Sequence, residues 1–501
     1  MKKFKSVRTI MLFLVLAAFT LVSCGDDGGG GHQAPTAPRD DIGGEGIDDE
    51  PAEAVRLRDN VPDADFGGHQ FHIIVSVNGE IALLNDFEAE ELMGEPINDA
   101  IYIRNSIVEE RFNIEITNLE MPAADTMQRS EAQRRIRNSV AAGDNTFDAA
   151  MIAGYGTAAL SQQGYLMDMA ALEPIDLSMP WWDQMANQDL RILDRMFFTT
   201  GAISNVVNRA TYAILFNKQM VQDFALDCPY ELVRAGEWTF DKMIEMATAV
   251  TMDLDGDGTI GFDDRVGALV WDDTMMGIVN AIGERAAVVN AQGEIELTLN
   301  TERTLQVFNT FMDFVLSDAA LTYQRTDWAS IQADAMFGNA QALFFMQIME
   351  LVTRLRAMDI DFGVLPQAKL DTNQQNYYST VGAWHSGFIC IPIGQADPFR
   401  TASIIEAMAA ESMYTLLPAY YEIALVGQLI RDEESEEMLD IIFSTRVFDV
   451  GWLFEIGGYN ESIMNQLRNS RREFMSMYER GRGLADRHIE RINTAFAEIF
   501  H

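Results

Sequence analysis

Between residues 67 and 460 the apolar positions switch repeatedly between two rhythms. Phe71-His72-Ile73-Ile74-Val75 is a short apolar run of strand length. From Asn98 to Arg111 the apolar positions, among them Ile101, Ile107 and Val108, recur at helical spacing. Phe112-Asn113-Ile114-Glu115-Ile116 then alternates as a second strand. Residues 131–142 read as a helix, and Phe147 to Ile152 as a third strand. Strands alternating with helices predict an α/β fold with a largely parallel, doubly wound sheet. A second series opens at Ala213-Ile214-Leu215-Phe216, and Thr239 is placed to cap a helix carrying Phe240, Met243, Ile244 and Ala247. Short strands recur near Phe337 to Phe345, at Phe362-Gly363-Val364-Leu365-Pro366 and at Gly387 to Pro392. Two α/β lobes joined by several crossings would produce this order. In such sheets ligands sit beyond the carboxyl ends of the strands. Gly154-Tyr155-Gly156 follows the third strand directly and is therefore expected at a cleft lip, the alternative being a plain tight turn. Its glycines allow close backbone approach, and Tyr155 offers a flat face with a polar tip.

The amino terminus follows a different pattern. Lys2, Lys3, Lys5 and Arg8 precede an apolar run, Ile10 to Val22, that is too short for a retained membrane span. It ends at Leu21-Val22-Ser23-Cys24, the lipoprotein form of an export signal, in which the cysteine is acylated and becomes the new amino terminus. Residues 1–23 are thus expected to be removed. Cys24 is the expected lipid anchor, attached to the outer side of the cell membrane. Residues 24–66, rich in Gly, Asp and Pro, read as a flexible acidic tether. This location makes chemistry that consumes ATP or NAD an unattractive reading.

Charge narrows the partners. The chain carries a net charge of −40, with 76 acidic against 36 basic residues, and loss of the leader makes it more negative. Such a surface repels nucleic acid and anionic head groups, and disfavours an anionic ligand unless a local basic pocket exists. Besides Cys24, only Cys228 and Cys390 are present, so no disulfide framework is expected; both are expected as buried thiols.

Asp253-Leu254-Asp255-Gly256-Asp257-Gly258-Thr259-Ile260-Gly261-Phe262-Asp263-Asp264 has the spacing of a calcium loop. Calcium requires six to eight oxygens. Alternate carboxylates from Asp253, Asp255 and Asp257 converge, Gly258 permits the turn, the Thr259 carbonyl adds an oxygen, and Asp264 closes the shell. A Glu is usual at the last position, so the shorter Asp264 weakens the expected site. A structural Ca²⁺ is the expectation, and an Asp/Gly-rich turn without metal the alternative.

No nucleophile elbow, zinc-protease helix motif or phosphate loop occurs. No carboxylate pair stands out as a glycosidase dyad. His385, beside Trp384, is read as lining a cleft or making a buried hydrogen bond. The acids of Asp432-Glu433-Glu434-Ser435-Glu436-Glu437 complement the dipole at a helix start. Arg468, Arg471, Arg472, Arg480, Arg482, Arg487 and Arg491, set among acids, read as a solvated face, with a partner dock as the alternative.

Several stretches together resemble the bacterial extracellular solute-binding lipoproteins of ABC importers, in particular the sugar-type, maltodextrin-binding group. They are the lipobox, Ile175-Asp176-Leu177-Ser178-Met179-Pro180-Trp181-Trp182-Asp183, Leu215-Phe216-Asn217-Lys218, Gly236-Glu237-Trp238-Thr239-Phe240-Asp241 and the acidic loop. Phe362 to Pro366 and the run from Pro418-Ala419-Tyr420-Tyr421 to Asp449-Val450-Gly451 belong to the same set. The resemblance covers most of residues 70–455. It implies a two-lobed periplasmic-binding-protein-like type II fold with hinge crossings near Ser204 to Asn208, Ala342 to Met346 and Thr380 to Trp384. Lobe one would hold 67–204 and 342–380, lobe two 205–341 and 381–460, and 461–501 would form C-terminal helices. By similarity Tyr155 faces the cleft from lobe one. Asn208 and Arg209 lie at the first crossing, Phe345 to Gln347 just past the second, and Trp384 faces from lobe two. Trp271 and Trp328 are further stacking candidates, whereas Trp181, Trp182 and Trp238 sit in motifs that look structural. The implied protein is a monomer that captures a small solute, a mono- or oligosaccharide, hands it to permease subunits, touches the membrane only through its lipid, and is not an enzyme. A ligand sensor for a membrane kinase and a secreted carbohydrate-active enzyme are the rival readings.

Overall fold

The computed structural model describes residues 56–76, 86–121, 131–323, 327–355, 358–426 and 433–498. The expected leader, the Cys24 anchor and most of the tether lie outside them. Among the described residues no helix is long and apolar enough to cross a membrane.

Two five-stranded sheets organise the described residues from Asp59 onward. The strands in chain order are β1 (His69–Ser76), β2 (Ile114–Glu120), β3 (Ala149–Ala153), β4 (Phe198–Thr199), β5 (Tyr212–Asn217), β6 (Val266–Trp271), β7 (Ala287–Val289), β8 (Ile295–Leu297), β9 (Ala320–Tyr323), β10 (Ala342–Ile348), β11 (Phe362–Leu365), β12 (Ser379–Thr380), β13 (Gly387–Cys390) and β14 (Arg446–Val447). The first sheet has the order β2-β1-β3-β13-β4, and the second β11-β5-β10-β6-β9. β1 pairs in parallel with β2 and β3, as the alternation of strands and helices predicts.

Local rules set the boundaries. The helix Pro96–Phe112 starts with Pro at its first turn and stops at Asn113, whose backbone is left-handed at φ 49°. β2 accordingly begins at Ile114, two residues later than the apolar pattern suggests. Thr239 does cap its helix: the Lys242 amide donates to Thr239 Oγ1 at 3.3 Å. Gly154-Tyr155-Gly156 after β3 is no plain tight turn, the alternative to a cleft lip, but the first turn of the helix Gly154–Gln162.

The division into lobes differs from the expectation. β10 and β11 both pair with β5, and β13 pairs with β3 and β4. The segment 342–365 therefore belongs to the second sheet and 387–390 to the first, opposite to the lobes inferred for them. The expected crossing at Ala342 to Met346 is the interior of β10. A buried apolar run has the same appearance whichever sheet it joins, and only long-range pairing decides. The crossings that exist run side by side at the hinge: the Gly382 amide donates to the Ala210 carbonyl at 2.9 Å, and Thr211 bridges Val381. A third passage lies between the helix Pro398–Ser412, which packs on Pro96–Phe112, and the helix Glu433–Ser444, which packs on β11.

Trp181, Trp182 and Trp238 are fully buried, as their motifs suggest. Cys390 is buried, but Cys228 is exposed, because it sits just ahead of the surface helix Pro229–Arg234. The chain ends in the helices Tyr459–Arg468 and Phe474–Glu498. The second buries Phe474, Met477, Tyr478, Ala485, Ile492 and Phe496 along one stripe.

Candidate functional site

The strand ends of the two sheets converge on the hinge. At the end of β3 the Gly154 amide donates to the Ser386 carbonyl at 3.0 Å. A Cβ on Gly154 would come within 2.6 Å of both the Ala383 carbonyl oxygen and Leu453 Cδ1, so only glycine permits this approach. Tyr155 is buried, and its hydroxyl accepts from Asn460 Nδ2 at 3.0 Å, joining lobe one to the C-terminal helices. Burial raises the Tyr155 phenol well above its ordinary range, although the Asn460 bond opposes this.

From the second sheet, Trp271 ends β6 and Tyr212 begins β5. Their rings stack at 6.3 Å with planes 10° apart. His385 stands edge-on to Trp271 at 5.1 Å and to Trp384 at 4.5 Å. Tyr212, Trp271, His385 and Trp384 thus form an aromatic row from the mouth of the second sheet to the start of β13 in the first. Trp384, half-buried, is its open end.

Polar groups flank the row. Gln347 Nε2 donates to the Tyr323 hydroxyl at 3.2 Å. Arg446 donates to Asn208 Oδ1 at 2.6 Å and pairs with Asp183 at 2.6 Å, tying the segment after the third passage to both the hinge and lobe one. Arg209 faces Glu350 at 3.7 Å and lies over the Tyr420 ring at 5.9 Å. Tyr212, Trp271 and His385 are buried, and Trp384 alone presents an open face; such a face beside paired charges and amides suits a polyhydroxylated ring, whose faces stack and whose hydroxyls both donate and accept.

Of the expected ligand residues, the structure brings Tyr155, Asn208, Arg209, Trp271, Gln347 and Trp384 to this region. Phe345 is fully buried inside β10, packed against Phe337 at 5.5 Å and Tyr323 at 6.2 Å, which is a core position. Trp328 belongs to the helix Asp327–Gly338, and its side chain lies outside the description. Tyr212, Tyr323, Glu350, Tyr420 and Asn460 were not anticipated. Tyr212 and Tyr323 terminate strands at the cleft end, a signal readable only once strand direction is known.

The acidic loop brings three of the expected ligands together. Carboxylate oxygens of Asp253, Asp255 and Asp257 lie within 4.8 Å of one another. Asp253 is oriented by the Gly256 and Gly258 amides at 2.6 and 2.9 Å, and Asp257 by the Thr259 amide at 2.7 Å. Gly256 and Gly258 have φ of 76° and 87°, which the tight winding needs. The Asp255 carboxyl accepts from the Asp257 amide, which lowers its pKa. Desolvation and the carboxylates of Asp257, Asp264 and Asp253 outweigh that bond and hold it above its ordinary range. Asp264 stands apart from this cluster. Its oxygens accept from the Leu254 amide at 2.7 Å and the Gly261 amide at 2.8 Å, so it closes the loop on backbone rather than converging with the other three.

The fold has known counterparts. A cyclo/maltodextrin-binding protein complexed with maltotetraose superposes with a TM-score of 0.55 over 85% of this chain and 98% of its own, at 13% identity. A sugar transporter protein from Rhizobium etli in an open conformation gives 0.54 over 86% and 99%, at 10% identity. UgpB from Mycobacterium tuberculosis in complex with glycerophosphocholine gives 0.53 over 84% and 99%, at 13% identity. No family model and no curated protein matches the chain. The architecture is therefore that of the two-lobed periplasmic-binding-protein fold, as the sequence resemblance implies, with the lobe assignment of 342–365 and 387–390 corrected above.

Proposed function

We propose that this chain is the solute-capturing component of an ABC importer, closing two lobes around a mono- or oligosaccharide without altering its bonds. The observation that carries this reading is the aromatic row Tyr212, Trp271, His385, Trp384 at the converging strand ends, flanked by Arg209, Glu350, Gln347 and Asn208. The solved counterparts that bind maltotetraose and glycerophosphocholine support a small polar ligand. Permease subunits are the expected partners, and the acylated Cys24 is the expected tether to the outer face of the membrane.

Thermal unfolding against a panel of sugars, peptides and polyamines tests the reading. A ligand at a hundred times its Kd adds about 2.7 kcal/mol to stability, so a cognate saccharide should raise the Tm by several degrees, a rise that grows with the logarithm of its concentration above Kd. A response confined to peptides or polyamines would overturn the sugar assignment.

The loop at Asp253, Asp255 and Asp257 is read as a structural calcium site, because three converging carboxylates repel one another until a hard cation neutralises them. Calcium added to chelator-treated protein should raise the Tm by a few degrees, and Asp255→Asn should abolish most of that rise. An unchanged melting curve would remove the metal from the account.

A further inference from the structure

A cavity of about 340 Å³ opens between the helix Gly154–Gln162 of lobe one and the C-terminal helix Phe474–Glu498. Two arginines line it in a strongly acidic protein, and burial together with Arg491 holds the His488 imidazole below its ordinary pKa. Arg137 reaches it from the helix Glu131–Ala142, and His488 and Arg491 from the C-terminal helix. With 76 acids for 36 bases, most arginines of this chain have carboxylates to meet. Among the described residues, Arg137 and Arg491, like Arg191 and Arg265, do not meet one. Arg137 donates only to the amide oxygens of Gln163 and Gln133, both at 3.1 Å, and neither arginine pairs with a carboxylate among the described residues. The one acid in the wall, Glu455, sits in a left-handed backbone conformation at φ 49°. Gln162 Oε1, also in the wall, is buried without a hydrogen-bond partner.

We propose that this cavity binds a small organic oxyanion, whose phosphate or carboxylate group is held between Arg137 on lobe one and Arg491 on the C-terminal helix. Arginine forks bind oxyanions in bidentate fashion, and the volume lies at the small-ligand end of the usual range. The polar remainder of the ligand meets the Gln162 amide. Because the two arginines come from different elements, an anion between them fastens the C-terminal helix to lobe one. That helix already touches both lobes: Phe496 packs edge-on to Phe197 at 4.9 Å, and Asn493 exchanges hydrogen bonds with the backbone of Ile295 at 3.0 and 3.2 Å. The site shares the buried Tyr155 with the cleft but is otherwise separate from the aromatic row.

Titration calorimetry on the full chain at fixed ionic strength tests this, with inorganic phosphate, glucose 6-phosphate and glucuronate as probes and chloride as the control. The expected result is saturable binding of at least one probe, weakened ~tenfold or more in both Arg491→Gln and Arg137→Gln. Preference among the probes identifies the phosphate or the carboxylate as the recognised group. Arg491 is exposed, so its variant should fold and keep any response to neutral saccharide, which separates failure here from failure of the importer reading. No saturable binding of any probe, or equal binding by both variants and the parent, overturns the proposal.

Discussion

Glu406→Ala should cost the folded protein about 3–5 kcal/mol, read as a large fall in the urea midpoint. Glu406 lies on the helix Pro398–Ser412 and is 1% exposed. Its two carboxylate oxygens accept separately from Trp181 Nε1 at 3.0 Å and Trp182 Nε1 at 2.9 Å. Alanine leaves both indole N–H groups buried without an acceptor and opens a cavity beside two of the largest side chains of lobe one. Each orphaned donor costs roughly 1–3 kcal/mol, and the cavity adds to that. Glu406→Gln retains one acceptor but turns an amide N–H toward the second indole, so it should cost less than alanine.

The same residue gives stability a pH dependence of definite sign. Burial pushes the Glu406 carboxyl up to about 7 from its ordinary 4.5, against the pull of the Trp182 and Trp181 hydrogen bonds. The folded state therefore holds the proton more tightly than the unfolded chain. This contribution is fully present below the unfolded pKa, is lost as pH rises through the folded pKa, and stays constant beyond it. Its size is about 3 kcal/mol across that window. Other carboxylates titrate there too, so the measurement is the difference between the parent and Glu406→Gln. That difference should shrink as pH rises from about 4.5 to about 7. A difference independent of pH would show that Glu406 titrates normally.

Trp181 and Trp182 illustrate how far the sequence is legible. Their adjacency and family motif mark them as structural, but the carboxylate that satisfies both is 225 and 224 residues away, and nothing local points to Glu406. The elements themselves obey local rules: capping at Thr239, the Pro96 start, and the apolar runs of β1 and β5. What escaped was pairing. β10 and β13 are both short apolar strands, and the sheet each joins is settled by contacts with β5 and β3 that lie far away in sequence. The candidate site divides in the same way. Tyr155 is visible because it follows a strand directly, and Trp384 through the family resemblance. Tyr212 and Glu350 become visible only when the hinge folds β5 against β10. In the acidic loop the spacing anticipates the three clustered carboxylates. The fate of Asp264, drawn onto backbone amides, depends on how the loop turns back.

Removing the open end of the aromatic row should reduce saccharide affinity a hundredfold or more while leaving the fold intact. Trp384→Ala is the informative change, because Trp384 is half-buried and its ring meets His385 at the margin of the core. A stacked ring face contributes apolar contact that a sugar cannot recover from water, and a loss of about 2.7 kcal/mol corresponds to a hundredfold in Kd. Trp271→Ala should abolish binding too, but Trp271 is 2% exposed and stacks on Tyr212. Its removal also carries a core penalty of roughly 3–5 kcal/mol. The two variants thus separate the contributions: Trp384→Ala should weaken binding with a nearly unchanged ligand-free Tm, whereas Trp271→Ala should lower both. Calorimetry with the saccharide selected by the thermal panel gives the affinities, and unfolding without ligand gives the stabilities. Full affinity in Trp384→Ala would move the ligand away from this row. Lost affinity in Trp271→Ala alone, in proportion to its lowered stability, would reduce the row to packing.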